Sequence, residues 1–337
     1  MKRKLILVCT ISYLLDSLYR VALQALEISH SNISFLQKIP LNALFLVNQC
    51  LQVYTVTNHF CTQSRRQKLT FSSQLIVPGC FSFFIFIIIT LLIYPAYQKQ
   101  NEEGKLLIAL FAPLVGLVLK VFSRICVQRL YNITHPGYSH VLLSPIYLAS
   151  AVMFRVLQAD LGNLKSIAIL GIIHGAAEVI ERSTMVVIDH ICHLLWKRTS
   201  APWGSFRTPR RERLMADIAI MSMLSESIAI VAVNGFLYLY QFTYLQNKLF
   251  INLLQSFAVH TSVQLVIEWI FTSVSLAIET RYQNMAVMAV WRRRWKRHIS
   301  VAIVNAVPLA VWTSTNLLQF LHDNFPVTNQ LCKMPFS

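Results

Sequence analysis

The sequence has little charge for its length. Charged residues make up 13% of the 337 positions, whereas soluble domains contain about a quarter. Acidic residues are the scarcest, with 14 Asp and Glu against 30 Lys and Arg, so the formal net charge is +16. With 55% hydrophobic residues and a mean hydropathy of +0.53, the chain has more apolar side chain than one water-facing surface can surround. A soluble enzyme, a disordered tail, a collagen and a coiled coil are therefore poor fits.

The sequence also lacks the short motifs of soluble enzymes and small metal domains. Its seven cysteines form no C-x-x-C pair, so neither a disulfide scaffold nor a zinc finger is indicated. We find no Walker loop, no G-x-G-x-x-G and no G-x-S-x-G. H-E-x-x-H and repeated E-x-x-H are absent too. A non-enzymatic role is therefore favoured, and the sequence specifies neither a metal nor a cofactor.

What the sequence does contain is long apolar runs. Residues 69–98 hold no charged side chain, and the core of this run, residues 81–94, is continuous enough to indicate a bilayer. Eight further runs have spanning length, which predicts an all-α polytopic membrane bundle of about nine helices. The predicted spans are 5–25, 40–64, 74–95, 106–122, 141–157, 164–195, 215–241, 249–278 and 299–320.

Two features of this threading remain open. The first run is interpreted as an uncleaved anchor helix because no small-x-small cleavage site follows it promptly, with an interfacial amphipathic helix as the alternative. Omitting the first two spans leaves every later assignment unchanged, so seven spans is the alternative count. The predicted organisation is an N-terminal anchor with a second span (1–73), a main membrane bundle (74–320) and a short tail (321–337).

Loop charges support this threading, because Lys and Arg accumulate in cytoplasmic loops. With the N-terminus inside, 21 basic residues fall in cytoplasmic segments, 6 fall on the opposite side and 3 lie within spans. The C-terminus then lies opposite the cytoplasm, and the membrane compartment stays unspecified. We expect anionic lipids at the cytoplasmic face as a partner, and no nucleic acid. The predicted lipid-facing basic cluster is Arg292, Arg293, Arg294, Lys296 and Arg297.

Polar residues at membrane depth carry the functional prediction, because ionisable groups there usually face a partner, a cavity or a pathway. Over residues 164–195, six of them fall within a sector of about 120° on one helix face. A four-residue repeat of polar residues runs through residues 249–278, with Asn252 and Glu279 near the same face at its ends, and Glu226 lies among serines on the preceding helix. The candidate ion-binding residues are His174, Glu178, Glu181, Asp189, His193, Glu226, His260, Gln264 and Glu268.

Four interpretations of these residues compete. The simplest is a membrane scaffold in which the polar stripes only join helices through buried ion pairs. The functional hypothesis is transport of a cation or a proton-coupled solute, with carbonyls freed by Pro113, Pro145 and Pro308 lining a path. A membrane metalloenzyme is a further alternative, since His and Glu are metal ligands. A seven-span receptor lacks support, because no Asp-Arg-Tyr follows a third span and no Asn-Pro-x-x-Tyr ends the last.

Two glycosylation sequons test the threading. Asn32 (Asn-Ile-Ser) is predicted outside and Asn132 (Asn-Ile-Thr) in the cytoplasm. In a glycosylating host, N-glycosidase treatment should therefore increase electrophoretic mobility, and Asn32→Gln should abolish that shift while Asn132→Gln leaves it intact. A shift that depends on Asn132 instead would overturn the predicted sidedness.

Overall fold

The structure, a computed structural model, is 97% helical over the residues that it describes and contains no strand there. The described residues are 2–25, 35–60, 65–88, 93, 96–97, 99–128, 140–160, 164–197, 209–244, 250–282 and 285–324. The helices are α1 (Lys2–Ala25), α2 (Phe35–Phe60), α3 (Arg65–Ile88), α4 (Glu102–Gln128), α5 (Ser144–Asp160), α6 (Leu164–Lys197), α7 (Pro209–Tyr244), α8 (Phe250–Arg281) and α9 (Val287–Asn324). The prediction of an all-α fold is confirmed.

Five of these helices are long and apolar enough to cross a membrane. They are α2, α4, α5, α7 and α8, through the stretches Ile39–His59, Glu103–Val127, His140–Ala159, Glu212–Thr243 and Phe250–Arg281. Each coincides with a predicted span, and together they are compatible with an integral membrane protein. Helix α6 does not meet the same criterion, because every 18-residue stretch of it contains at least three charged side chains. The predicted span 74–95 extends past α3 into residues that the structure does not fully describe.

The helices pack in two sets. Helices α1 to α4 contact each other mainly in chain order, whereas α5 to α9 form the interior: α5 packs on α7, α6 on α8, α7 on α8, and α9 on both α7 and α5. Helix α4 joins the two sets by packing on α5 and α6. The largest apolar cluster of the described residues includes Tyr147, Ile220 and Val287 and joins α5, α7 and α9.

Helix α8 has its polar residues inside and its apolar residues outside. Its buried side chains are Leu253, Thr261, Gln264, Glu268, Ser275 and Glu279, so all but one are polar. Its surface carries large apolar side chains, with Trp269 56% exposed and Ile270 57% exposed. Large exposed apolar patches are rare on proteins that are surrounded by water. This distribution is the one expected of a helix that faces lipid on one side and a polar interior on the other.

Two polar or helix-breaking positions have other roles than the sequence suggests. Pro145 lies within the apolar stretch His140–Ala159, as predicted, but it is the second residue of α5 and so frees no carbonyl inside the helix. The first turn of a helix tolerates proline because its N–H groups have no intrahelical partner there. Lys120 interrupts the predicted span 106–122 near its end, where a long side chain could extend to the membrane interface. In the structure it is buried instead, and its Nζ lies 3.4 Å from Glu181 Oε2.

Small residues let α6 and α8 approach closely. Gly171 and Gly175 lie one turn apart on α6, and both face α8. A Cβ atom added at Gly175 would lie 2.6 Å from Phe271 Cγ and 3.0 Å from Phe271 Cβ. Rotation about χ1 can move Cγ but not Cβ, which moves only with the α8 backbone, so the side chain of Phe271 can relieve the contact only in part. Such small-x-x-x-small contacts are typical of helices that associate within membranes.

We expect Gly175→Ala to destabilise the fold by about 1–3 kcal/mol, because overpacking forces the two helices apart. The measurement is the thermal unfolding midpoint of detergent-purified protein, followed by tryptophan fluorescence. Gly79→Ala in α3 is the matched control, since no described atom lies within 4 Å of its added Cβ. Equal midpoints for the two variants would show that the α6–α8 contact is looser than described.

Candidate functional site

Arg155 of α5 is the centre of a buried polar cluster. It is only 3% exposed, and its Nη2 donates to Glu268 Oε2 at 2.7 Å and to Glu226 Oε2 at 3.0 Å. These carboxylates come from α8 and α7, so one guanidinium joins three helices. The Nη1 atom donates to Gln158 Oε1 at 2.8 Å, and Gln158 Nε2 in turn donates to the carbonyl of Ile167 at 2.7 Å. The guanidinium plane is therefore fixed by hydrogen bonds on two sides.

Two residues of α6 complete the cluster. His174 Nε2 lies 3.6 Å from Glu226 Oε2, and its ring stacks on Phe154 with centroids 3.8 Å apart. Glu178, one turn further on, accepts a hydrogen bond from Ser222 Oγ at 3.1 Å. Ligand atoms of His174, Glu178 and Glu226 all lie within 4.8 Å of one another, so a single cation can contact all three. We name Arg155, His174, Glu178, Glu226 and Glu268 the central cluster.

The central cluster contains more acid than base. It has three carboxylates and one guanidinium, all buried. When these four groups are ionised and His174 is neutral, the cluster carries two excess negative charges. An uncompensated buried charge costs several kcal/mol, and a proton or a bound cation would reduce that cost. The cluster has the composition of a site that takes up positive charge.

Two ion pairs flank the central cluster. Arg182 of α6 and Glu279 of α8 form a bidentate pair, with Nε and Nη2 each donating at 2.8 Å. Arg182 Nη1 also lies 3.9 Å from Glu178, which links this pair to the cluster. Lys120 of α4 pairs with Glu181 of α6. Each pair is formally neutral, so neither offsets the excess charge of the cluster.

The predicted site residues divide into three groups. His174, Glu178, Glu226 and Glu268 come together as predicted, and the four-residue spacing of Glu178 and Arg182 does bring their side chains close. Gln264 is buried one turn before Glu268, and Glu181 contacts Lys120 instead of the cluster. His260 lies apart from it, with Nδ1 2.8 Å from the Ser256 carbonyl and 3.0 Å from the Tyr238 hydroxyl. Asp189 and His193 have side chains outside the described part of the structure, as do the Asn32 and Asn132 sequons.

The basic cluster lies at the start of α9. Arg292, Arg293 and Lys296 are exposed, whereas Arg294 and Arg297 are half-buried. The ammonium of Lys296 lies 5.6 Å from the centroid of the Trp295 ring, and Trp295 is itself 44% exposed. This cation–π contact joins an apolar surface to a charged one, as is typical of side chains at a membrane interface.

Two further features were not predicted as site residues. Arg155 was noted only as a charged residue within a predicted span, although an isolated Arg at that depth is itself a signal. The other is a group at one end of α7, where Asp217 lies between His140 and His298. No short-range pattern links its three members, which come from distant parts of the sequence.

Comparison with protein-family models, with curated proteins and with solved structures finds no match to this chain.

The Arg182–Glu279 pair should stabilise the fold only as a pair. We expect Arg182→Gln and Glu279→Gln each to lower the free energy of unfolding by about 3–5 kcal/mol, because each leaves a buried charge without its partner. The double variant should lose much less free energy of unfolding than the sum of the two single losses. A double-mutant cycle of unfolding midpoints in detergent measures this coupling.

The control for that cycle is Lys68→Gln in α3, where the Lys68 ammonium donates an exposed hydrogen bond to Asn58 Oδ1 at 3.3 Å. Surface substitutions of this kind usually change stability by about 0.5 kcal/mol or less, so this variant should change the midpoint little. Additive losses from Arg182→Gln and Glu279→Gln would mean that the two side chains are not coupled.

Proposed function

We propose that the protein is a multi-pass membrane protein of about nine spans that transports a cation or a proton-coupled solute. The observation that carries this proposal is the central cluster, in which two buried carboxylates share one guanidinium and a third buried carboxylate, Glu178, lies beside them. Carboxylates and imidazoles at the middle of a membrane are the groups that proton and cation transporters use. The outward apolar side chains of α8 support the membrane part of the proposal.

Competition for Arg155 is the proposed mechanism. Its Nη2 atom donates to Glu226 of α7 and to Glu268 of α8 at the same time. A proton on one of these carboxylates removes its charge and weakens its bond to the guanidinium. Arg155 then pairs more strongly with the other carboxylate, so the protonation state selects whether α5 is held to α7 or to α8. Uptake of positive charge is coupled in this way to a change in helix packing.

The group of His174, Glu178 and Glu226 suits the bound cation or proton. The Glu226 oxygen near His174 is the one that accepts from Arg155, and Ser222 fixes one Glu178 oxygen. A proton shared between His174 and Glu226, or a cation held by all three ligand residues, reduces the excess negative charge. His260 is omitted from this mechanism, because its ring contacts Tyr238 and the α8 backbone.

The proposed orientation of the protein in the membrane follows from its basic residues. We place the N-terminus and the basic cluster at the start of α9 on the cytoplasmic side, where exposed Arg292, Arg293 and Lys296 meet anionic lipid head groups. The glycosylation pattern of the two sequons reports the same sidedness independently of transport.

Glu268→Gln tests the transport mechanism. The amide keeps the shape of the side chain and can still accept a hydrogen bond from Arg155. Arg155 also keeps Glu226 as a charged partner, so we expect folding and membrane insertion to be preserved. The loss of one exchangeable charge should lower flux at least about tenfold. This factor corresponds to an increase of about 1.4 kcal/mol in the activation free energy of transport. The measurement is proton uptake into proteoliposomes that contain a pH-sensitive dye, driven by a potassium diffusion potential. Parallel assays use radioactive sodium and a zinc-sensitive dye.

Glu103→Gln is the control, because it removes the same charge from an exposed position at the start of α4 and breaks no buried ion pair of the described residues. Its flux should equal that of the unaltered protein. Flux that survives Glu268→Gln unchanged would remove Glu268 from the mechanism. If the unaltered protein conducts no protons, sodium or zinc above empty liposomes, the transport proposal fails and the central cluster only packs helices.

A further inference from the structure

A second group of ionisable side chains lies apart from the central cluster. His140 immediately precedes α5, Asp217 lies on α7, and His298 lies on α9. His298 Nε2 is 2.9 Å from Asp217 Oδ1, and His140 Nδ1 is 3.9 Å from Asp217 Oδ2. The two imidazole rings stack with centroids 4.8 Å apart, and each of the three residues is at most 1% exposed. We name these residues the His–Asp–His triad.

The hydrogen bonds of His298 leave a lone pair directed at a carboxylate. Its Nδ1 is 3.1 Å from the carbonyl oxygen of Arg294. A carbonyl can only accept a hydrogen bond, so Nδ1 carries a hydrogen. In the neutral ring, Nε2 is then an acceptor, and it faces the acceptor Asp217 Oδ1 at 2.9 Å. Two acceptors at this distance repel each other unless a proton or a metal ion lies between them.

The Nδ1 contact is also the one that metal-binding histidines usually make. A histidine that binds a metal through one nitrogen commonly donates its other N–H to a backbone carbonyl, which fixes the tautomer and the direction of the ring. The Arg294 carbonyl provides this support for His298. The ring is therefore oriented to bind a metal through Nε2.

The other candidate ligand atoms of the triad are buried and have unused hydrogen-bonding capacity. Within the described residues, neither ring nitrogen of His140 has a hydrogen-bond partner, and Asp217 Oδ2 has none either. Arg213 Nε lies 3.7 Å from Oδ2, which is an ion pair without a hydrogen bond. The Arg213 side chain is 27% exposed, so it can turn outward when another cation neutralises Asp217.

We propose that the His–Asp–His triad binds a divalent transition-metal ion of the zinc type. One candidate ligand atom from each residue lies within 4.8 Å of the others, and zinc bonds of about 2.0 Å place tetrahedral ligand atoms about 3.3 Å apart. Two imidazoles and a carboxylate suit Zn²⁺ and its neighbours in the first transition row, whereas Mg²⁺ and Ca²⁺ take oxygen ligands. Three protein ligands leave a fourth position for water or another ligand.

The proposed metal would hold three helices together. It joins the start of α5 to α7 and α9, beside the apolar cluster that these helices share. The charge pattern of the sequence predicts the same membrane side for His140, Asp217 and His298. Along α7 the triad is nine residues from Glu226, which is about 13 Å of helix. The proposal does not depend on transport, because no triad residue belongs to the central cluster.

Metal binding is measured on the full chain without a histidine tag, purified in detergent and stripped with chelator. His174, Glu178 and Glu226 offer a second possible metal site, so the background for every sample is Glu178→Gln. We expect this protein to bind one equivalent of Zn²⁺, by competition with a fluorescent zinc indicator and by elemental analysis. Adding His140→Ala or His298→Ala should weaken that binding at least about tenfold.

Two further readouts separate a lost ligand from a lost fold. Cobalt(II), as a spectroscopic probe, should give the visible absorption of a low-symmetry nitrogen and oxygen site in the Glu178→Gln protein only. Zinc should raise the unfolding midpoint of that protein and leave the Glu178→Gln, His140→Ala protein unchanged. If an alanine variant aggregates, His140→Gln replaces it, since its side chain retains much of the volume.

His260→Ala is the matched control, because His260 is a half-buried histidine of α8 that contacts no triad residue. It should retain full binding in the same background. Equal zinc binding with and without His140 and His298, or no binding by the Glu178→Gln protein, would overturn the proposal. Neither readout involves flux, so a failure of transport leaves the result of this test unaffected.

Discussion

The burial of the Arg155 charge constrains the whole interior of the protein. A guanidinium in an environment of low polarity requires anionic partners at hydrogen-bonding distance. Those partners are Glu226 and Glu268, which lie on two other helices. The rotation and axial position of α7 and α8 relative to α5 are therefore restricted by one side chain. The Arg182–Glu279 pair applies the same restriction between α6 and α8, and the glycines of α6 remove the steric obstacle to that approach.

Much of the fold was predictable from the sequence, because it depends on properties of single helices. The length of an apolar run and the placement of charged residues in the loops beside it are enough to locate a helix, without knowledge of its neighbours. Each predicted span overlaps a helix of the described structure, and five of those helices are long and apolar enough to cross a membrane. The stripe on α6 was predictable for the same reason, since residues four apart on one helix share a face whatever packs against it. His174, Glu178 and Arg182 are all buried on that face.

The errors on α8 have a geometric cause. A helix turns about 100° per residue, so a strict four-residue repeat drifts by about 40° at each step. His260 is therefore about 80° from Glu268, and Asn252 is about 160° from it. The structure accordingly buries Glu268, half-buries His260 and exposes Asn252. The contacts of Arg155 and the His–Asp–His triad were beyond prediction, because they depend on how separate helices are rotated against one another. Asp217 and His298 are 81 residues apart.

The order of the buried charges along the chain has a consequence for biosynthesis. Arg155 and Arg182 lie on α5 and α6, whereas the acids that pair with them, Glu226, Glu268 and Glu279, lie on α7 and α8. A ribosome therefore releases both cations before any of these acids. Long arginine side chains can extend to the head groups while they are unpaired, but the shorter glutamate side chains have less reach. In a membrane, the acidic helices thus enter after their partners, and late pairing can draw α7 and α8 into the bundle as translation ends.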